Sequence, residues 1–71
     1  MLKLLKEAKT KLFRTEYYIK LFAEDGGKFS TYANNSNFNW GWVRIFDTKE
    51  EAENDFYDSL KMFNYYKWEV K

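Results

Sequence analysis

The chain contains no cysteine, no histidine and no proline. Without cysteine, disulfides and thiolate chemistry are excluded. Without histidine, the commonest metal ligand and the commonest general base are both missing. Charge of one sign is also lacking: the net charge is +1, which suggests no strongly charged partner and excludes a highly acidic nucleic-acid mimic. No stretch approaches the ~20 apolar residues of a membrane span. The N-terminus has no uninterrupted apolar core of a secretory signal. The expected location is therefore the cytoplasm, of a cell or of an infected host, with no membrane partner. Asn34-Asn35-Ser36 matches the glycosylation pattern, but without a signal it reads as chance.

What is present is aromatic. Rings make up 23% of the 71 residues: three Trp, six Tyr and seven Phe. A chain this short forms one domain, residues 1–71, with a marginal core. Each ring buries ~150–250 Å², so a few fill that core, and the remainder are expected on the surface.

"MLKLLKEAKTKLF" reads as an amphipathic helix, with Met1, Leu4, Leu5, Ala8 and Leu12 on one face and Lys3, Lys6, Glu7 and Lys11 on the other. A basic amphipathic helix can lie on a membrane, but covering a sheet is the simpler reading. "TEYYIKLFAE" alternates as a strand, "EDGGK" supplies a tight turn, and "KFSTYA" returns. "NNSNFN" is a polar loop interrupted by Phe38, and "WGWVRIF" is a third strand. "DTKEEAENDFYDSLKMF" opens with a capping box, Thr48 and Glu51, and carries the stripe Ala52, Phe56, Leu60 and Phe63. "NYYKWEV" alternates again as a further strand. The expected fold is α+β: a small antiparallel sheet of three to four strands with two helices on one face, in the order α-β-β-β-α-(β).

Aliphatic parity places Ile19, Leu21, Val43, Ile45 and Val70 under the helices, with Gly41 there to let a helix approach. The opposite face would then carry Tyr18, Lys20, Phe22, Trp40, Trp42, Arg44, Phe46, Tyr65 and Lys67, joined by Tyr32. Three readings fit this aromatic and cationic face. The rings can stiffen the sheet through cross-strand pairs, with Arg44 over Trp42. They can form a protein-binding surface, since Trp, Tyr and Arg dominate hot spots. They can also stack on bases of a single strand while Lys20, Arg44 and Lys67 meet phosphates, although a nearly neutral chain lacks the usual basic groove.

Catalysis has no support here. The acids gather on the solvated side of one helix, and no phosphate loop, nucleophile elbow or metal motif is present. Spacings such as Asp47/Glu51 and Glu51/Asp55 could hold a hard cation, but a capped acidic first turn explains the same residues.

The run "EYYIKLFAEDGGKFSTY", "WGWVRIF", "FDTKEEAENDFYDSL" looks like the layout of the WGR nucleic-acid-associated domain. That family has Trp-Gly-Arg where this chain has Trp40-Gly41-Trp42 and a glycine-rich extension absent here, so its function does not transfer. A double-stranded RNA-binding domain needs a Lys-rich start to its second helix, whereas this one begins "TKEEAEND". The hairpin followed by "RIFDTKEEAENDFYDSL" is similar in pattern to small phage-encoded inhibitors of the anti-CRISPR type, over roughly residues 16–60. The abundance of Lys, Asn, Tyr and Phe suits an AT-rich phage or low-GC bacterium. This resemblance implies action by binding a host defence protein, with no shared active residues to carry over.

The sequence thus predicts a non-enzymatic binding protein, an inhibitor or adaptor, with no metal or other cofactor. Its expected contact residues are Tyr18, Lys20, Phe22, Phe38, Trp40, Trp42, Arg44, Tyr65 and Lys67. Glu50, Glu51, Asp55 and Asp58 form a second, acidic surface suited to a partner with a basic site. A protein partner leads; single-stranded nucleic acid and a homodimer through the same face are the alternatives.

Overall fold

In the computed structural model, residues 2–63 and 67–71 are described. They form β1 (Lys3–Leu12), β2 (Thr15–Ala23), a 3₁₀ turn (Asp25–Gly27), β3 (Phe29–Asn35), β4 (Gly41–Phe46), α1 (Lys49–Met62) and β5 (Glu69–Val70). The strands make one antiparallel sheet in the order β4-β3-β2-β1-β5. The helix packs on one face of it, against β2, β3 and β4.

This corrects the expected fold. Among the described residues there are five strands and one helix, not two helices over three or four strands. The N-terminal segment is the difference. It pairs with β2 from Lys3↔Ala23 to Leu12↔Thr15. Its leucines sit at helical spacing because a bulge lies between Leu4 and Lys6. One extra residue there turns Leu4 opposite Phe22 while Leu5 packs against the core. Helix propensity is a weak prior, and a long ladder on a central strand outweighs it. The final strand is short, pairing at Ala8↔Val70 and Lys9↔Glu69; Tyr65 and Tyr66 lie outside the described residues.

The helix follows its local signals. Thr48 is the N-cap, its Oγ1 accepting from the Glu51 N–H at 3.2 Å and donating to the Glu51 carboxylate at 3.0 Å. Ala52 and Phe56 bury against Ala8, Ile19, Leu21 and Ala33 to form the core. The hairpin between β2 and β3 turns through Gly26 and Gly27, both at positive φ.

Candidate functional site

Register assigns the two faces. Directly opposed residues share a side, so the row Ala8–Ile19–Ala33–Trp42 and the row Leu21–Thr31–Arg44 belong to the helix side. The open side carries Leu4–Phe22–Ser30–Ile45, Glu7–Lys20–Tyr32–Val43 and Lys9–Tyr18–Asn34–Gly41. The expected contact set is therefore divided. Tyr18, Lys20, Phe22 and Tyr32 lie on the open side as anticipated. Trp42, Arg44 and Phe46 lie under the helix, and Val43 and Ile45, expected in the core, are each 62% exposed on the open side.

The reason is a set of contacts that only the Trp42/Arg44 parity can make. Arg44 Nη1 donates to Asp55 Oδ1 at 2.7 Å, and the buried Thr31 hydroxyl donates to Asp55 Oδ2 at 2.6 Å. One helix carboxylate thus ties β3 and β4 together. Arg44 also lies over the Trp42 ring at 4.8 Å. Trp42 stacks on Phe63 at 5.9 Å, while Trp40 meets Tyr17, Trp42 and Phe63 edge-on at 5.1–5.3 Å. The Trp42 Nε1 is buried and makes no hydrogen bond within the described residues. These rings finish the core beyond the last turn of the helix.

Gly41 does not admit a helix either. At φ 140° its missing Cβ would lie 2.0 Å from the Ala33 carbonyl oxygen, so it permits close approach of β4 to β3. Of the acidic surface, Glu50, Glu51 and Asp58 are exposed, whereas Asp55 is turned into the sheet. Asp47 pairs with Lys28 across the end of the sheet. That hydrogen bond first, and the ammonium charge second, hold the Asp47 carboxyl below the ordinary 3.8. Among the described residues, no three Asp or Glu cluster closely enough to hold a metal ion.

The open side is an uncovered sheet face. Leu4, Val43 and Ile45 are exposed, Tyr18, Phe22 and Tyr32 are half-buried, and Lys20 meets Glu7 at 3.6 Å in the middle. Lys20 also lies 5.2 Å from the Tyr18 ring. Lys67 is exposed beside Lys9 and Lys11, and Tyr65 is outside the described residues. Phe38 projects from the β3–β4 loop, 79% exposed. That loop is held by the buried Asn35, whose Nδ2 donates to Asn39 Oδ1 at 2.6 Å and whose Oδ1 accepts from the Asn39 N–H. Sequence reasoning missed Leu4, Val43, Ile45 and Phe13. Reading residues 3–12 as a strand would have revealed both Leu4 and the turn that carries Phe13.

No helix among the described residues is long and apolar enough to cross a membrane. No family model matches the chain, and neither a curated protein nor a solved structure matches it.

Proposed function

We propose that this chain is a non-catalytic binding protein that engages a protein partner through the open face of its sheet. The supporting observation is the uncovered apolar surface formed by Leu4, Phe22, Val43 and Ile45 opposite the helix. An exposed contiguous apolar patch marks an interaction site more often than a free surface. The broad side of the molecule measures 38 × 21 Å, room for the ~800 Å² of accessible surface that one partner contributes to a standard interface. The Lys20–Glu7 pair at its centre supplies the polar selectivity that an apolar patch lacks.

The likeness in pattern to small phage-encoded inhibitors points to a host defence or nucleic-acid-processing protein as the partner. Glu50, Glu51 and Asp58 offer a second contact for a basic site on it. Base stacking is less well served, because Trp40, Trp42 and Arg44 are committed to the helix side and Lys20 faces Glu7.

The test compares the wild type with the pair Val43→Glu and Ile45→Glu, each immobilised and exposed to host lysate, with mass spectrometry of what is retained. A protein held by the wild type and lost from a variant of unchanged circular dichroism supports the reading. Identical retention by both would remove the open face from consideration.

A further inference from the structure

Two phenylalanines are held in a backbone conformation that suits neither. Phe13 has φ 58° and Phe38 has φ 57°, and they are the non-glycine residues at positive φ among those described. The left-handed region is costly for a bulky residue, and glycine or asparagine normally occupies it. Packing does not explain either choice, since Phe13 is 92% exposed and Phe38 is 79% exposed. Phe13 occupies the two-residue turn between Leu12 and Thr15, where a hairpin ordinarily places glycine. Retained strain of this kind points to a use outside the fold.

The two rings share one end of the molecule. Glu16 N–H donates to Ser36 Oγ at 3.2 Å, Ser36 N–H donates to the Glu16 carbonyl at 2.9 Å, and Asn37 Nδ2 donates to Thr15 Oγ1 at 3.1 Å. The β1–β2 turn and the β3–β4 loop are thereby clipped side by side. That end is basic: Lys9, Lys11, Arg14 and Lys67 are exposed there against Glu16 and Glu69. The far end reverses the balance, with Glu24, Asp25, Asp47, Glu50 and Glu51 against Lys3, Lys28 and Lys49. Ten-residue β1 spans about 33 Å at ~3.3 Å per residue, so the 38 Å axis runs along the strands. The charge separation thus lies along the long axis, and a negative surface would turn the phenylalanine end towards itself.

We propose that this end docks on an anionic lipid surface, with Phe13 and Phe38 entering the headgroup region and the lysines and Arg14 meeting lipid phosphates and carboxylates. Size favours a bilayer over a protein. The end is the narrow side of the molecule, 21 × 19 Å, whereas one side of a standard protein interface takes about 800 Å² of accessible surface. A bilayer sets no such minimum, because affinity there grows with inserted apolar area and with each cation near the surface. Peripheral contact also needs no membrane-crossing helix. Phe13 and Phe38 lie at the opposite end of the strands from the Leu4–Phe22–Ser30–Ile45 row. Lys9 belongs to both surfaces, so the phenylalanine variant and a Val43/Ile45 variant tell the two contacts apart.

The experiment is co-sedimentation of the full chain with vesicles of phosphatidylcholine and phosphatidylserine in two-to-one ratio, and with phosphatidylcholine alone. The wild type is expected to pellet with the anionic vesicles, to stay in solution with the neutral ones, and to be released by salt. The double variant Phe13→Asn, Phe38→Asn should lose at least tenfold in partitioning while its thermal midpoint stays level or rises, because asparagine accepts the left-handed backbone. Val43→Ser, Ile45→Ser, which leaves the charge unchanged, should pellet as the wild type does. Wild type left in solution with both vesicles, or pelleting unchanged in the asparagine variant, would overturn the proposal. So would a fall in the thermal midpoint of that variant. Full displacement by soluble polyglutamate regardless of the phenylalanines would also overturn it, by assigning the end to a soluble polyanion.

Discussion

Trp42 concentrates the chemistry of the helix side in one residue. It stacks on Phe63, carries Arg44 over its face and buries an unpaired indole N–H. Trp42→Ala should cost about 3 kcal/mol, the scale for truncating a large core ring. That is a large share of the roughly 4–10 kcal/mol expected of a domain this size. Trp42→Phe should cost much less, since it keeps a stacking ring and removes a donor that has no hydrogen-bond partner among the described residues. Urea denaturation of the two variants separates these outcomes, and equal losses would show that the indole itself is needed. Asp55 is the matching polar position. Asp55→Ala strands the buried Thr31 hydroxyl and releases Arg44, so a loss of about 2 kcal/mol is expected in the same assay. Asp47 sits at the surface, and its contribution is read by pH. Its folded pKa lies below the unfolded one because of Lys28. The contribution is complete above the ordinary carboxylate range and is lost as pH falls through the lowered value. A carboxyl-carbon NMR titration should place the Asp47 midpoint below 3.8, and Lys28→Ala should return it upward. No change on removing Lys28 would mean that the ion pair does not persist in solution.

Among the elements, those built on local signals were the legible ones. The cap at Thr48 and the stripe Ala52, Phe56 and Leu60 define α1 without reference to anything distant. Thr48→Ala should cost about 1 kcal/mol, visible as a lower thermal midpoint and as faster amide exchange in the first helical turn. Undiminished protection there would show that packing alone holds the helix start. The turn at Gly26 and Gly27 was equally plain. β1 was not, because its bulge at Leu5 breaks the period-2 alternation: Leu5 packs on the core that holds Ala8, three residues on, a spacing that reads as helical. For β4, alternation correctly grouped Trp42, Arg44 and Phe46, yet period 2 cannot say which side faces the core. The side is set by Arg44 reaching Asp55 eleven residues later and by the ring cluster at Phe63. Those are tertiary contacts that no strand pattern encodes. The same blind spot moved Val43 and Ile45 from the expected core to the open face, and so changed which residues form the candidate interface.

At the scale of the whole molecule, the described residues place one helix on one side of a five-stranded sheet and leave the other side open. An exposed apolar face can also meet the same face of a second copy, unless something opposes that contact. The central Glu7–Lys20 pair is the device that fits. It is flanked by Leu4, Phe22 and Ile45 on one side and by Tyr18 on the other. Stacking two faces would strip water from both pairs, and desolvating an ion pair can exceed its Coulombic gain. A specific partner that supplies hydrogen bonds to Glu7 and Lys20 avoids that cost, whereas a second copy offers only another closed pair. The wild type is therefore expected to sediment as a monomer at both low and high concentration. Glu7→Leu with Lys20→Leu removes the restraint and leaves an unbroken apolar face, so that variant should shift to a dimer as concentration rises. If the double variant stays monomeric over the same range, the charge pair is not what keeps copies apart. If the wild type already dimerises, the open face is occupied by this chain itself, and the partner must be sought elsewhere on the surface.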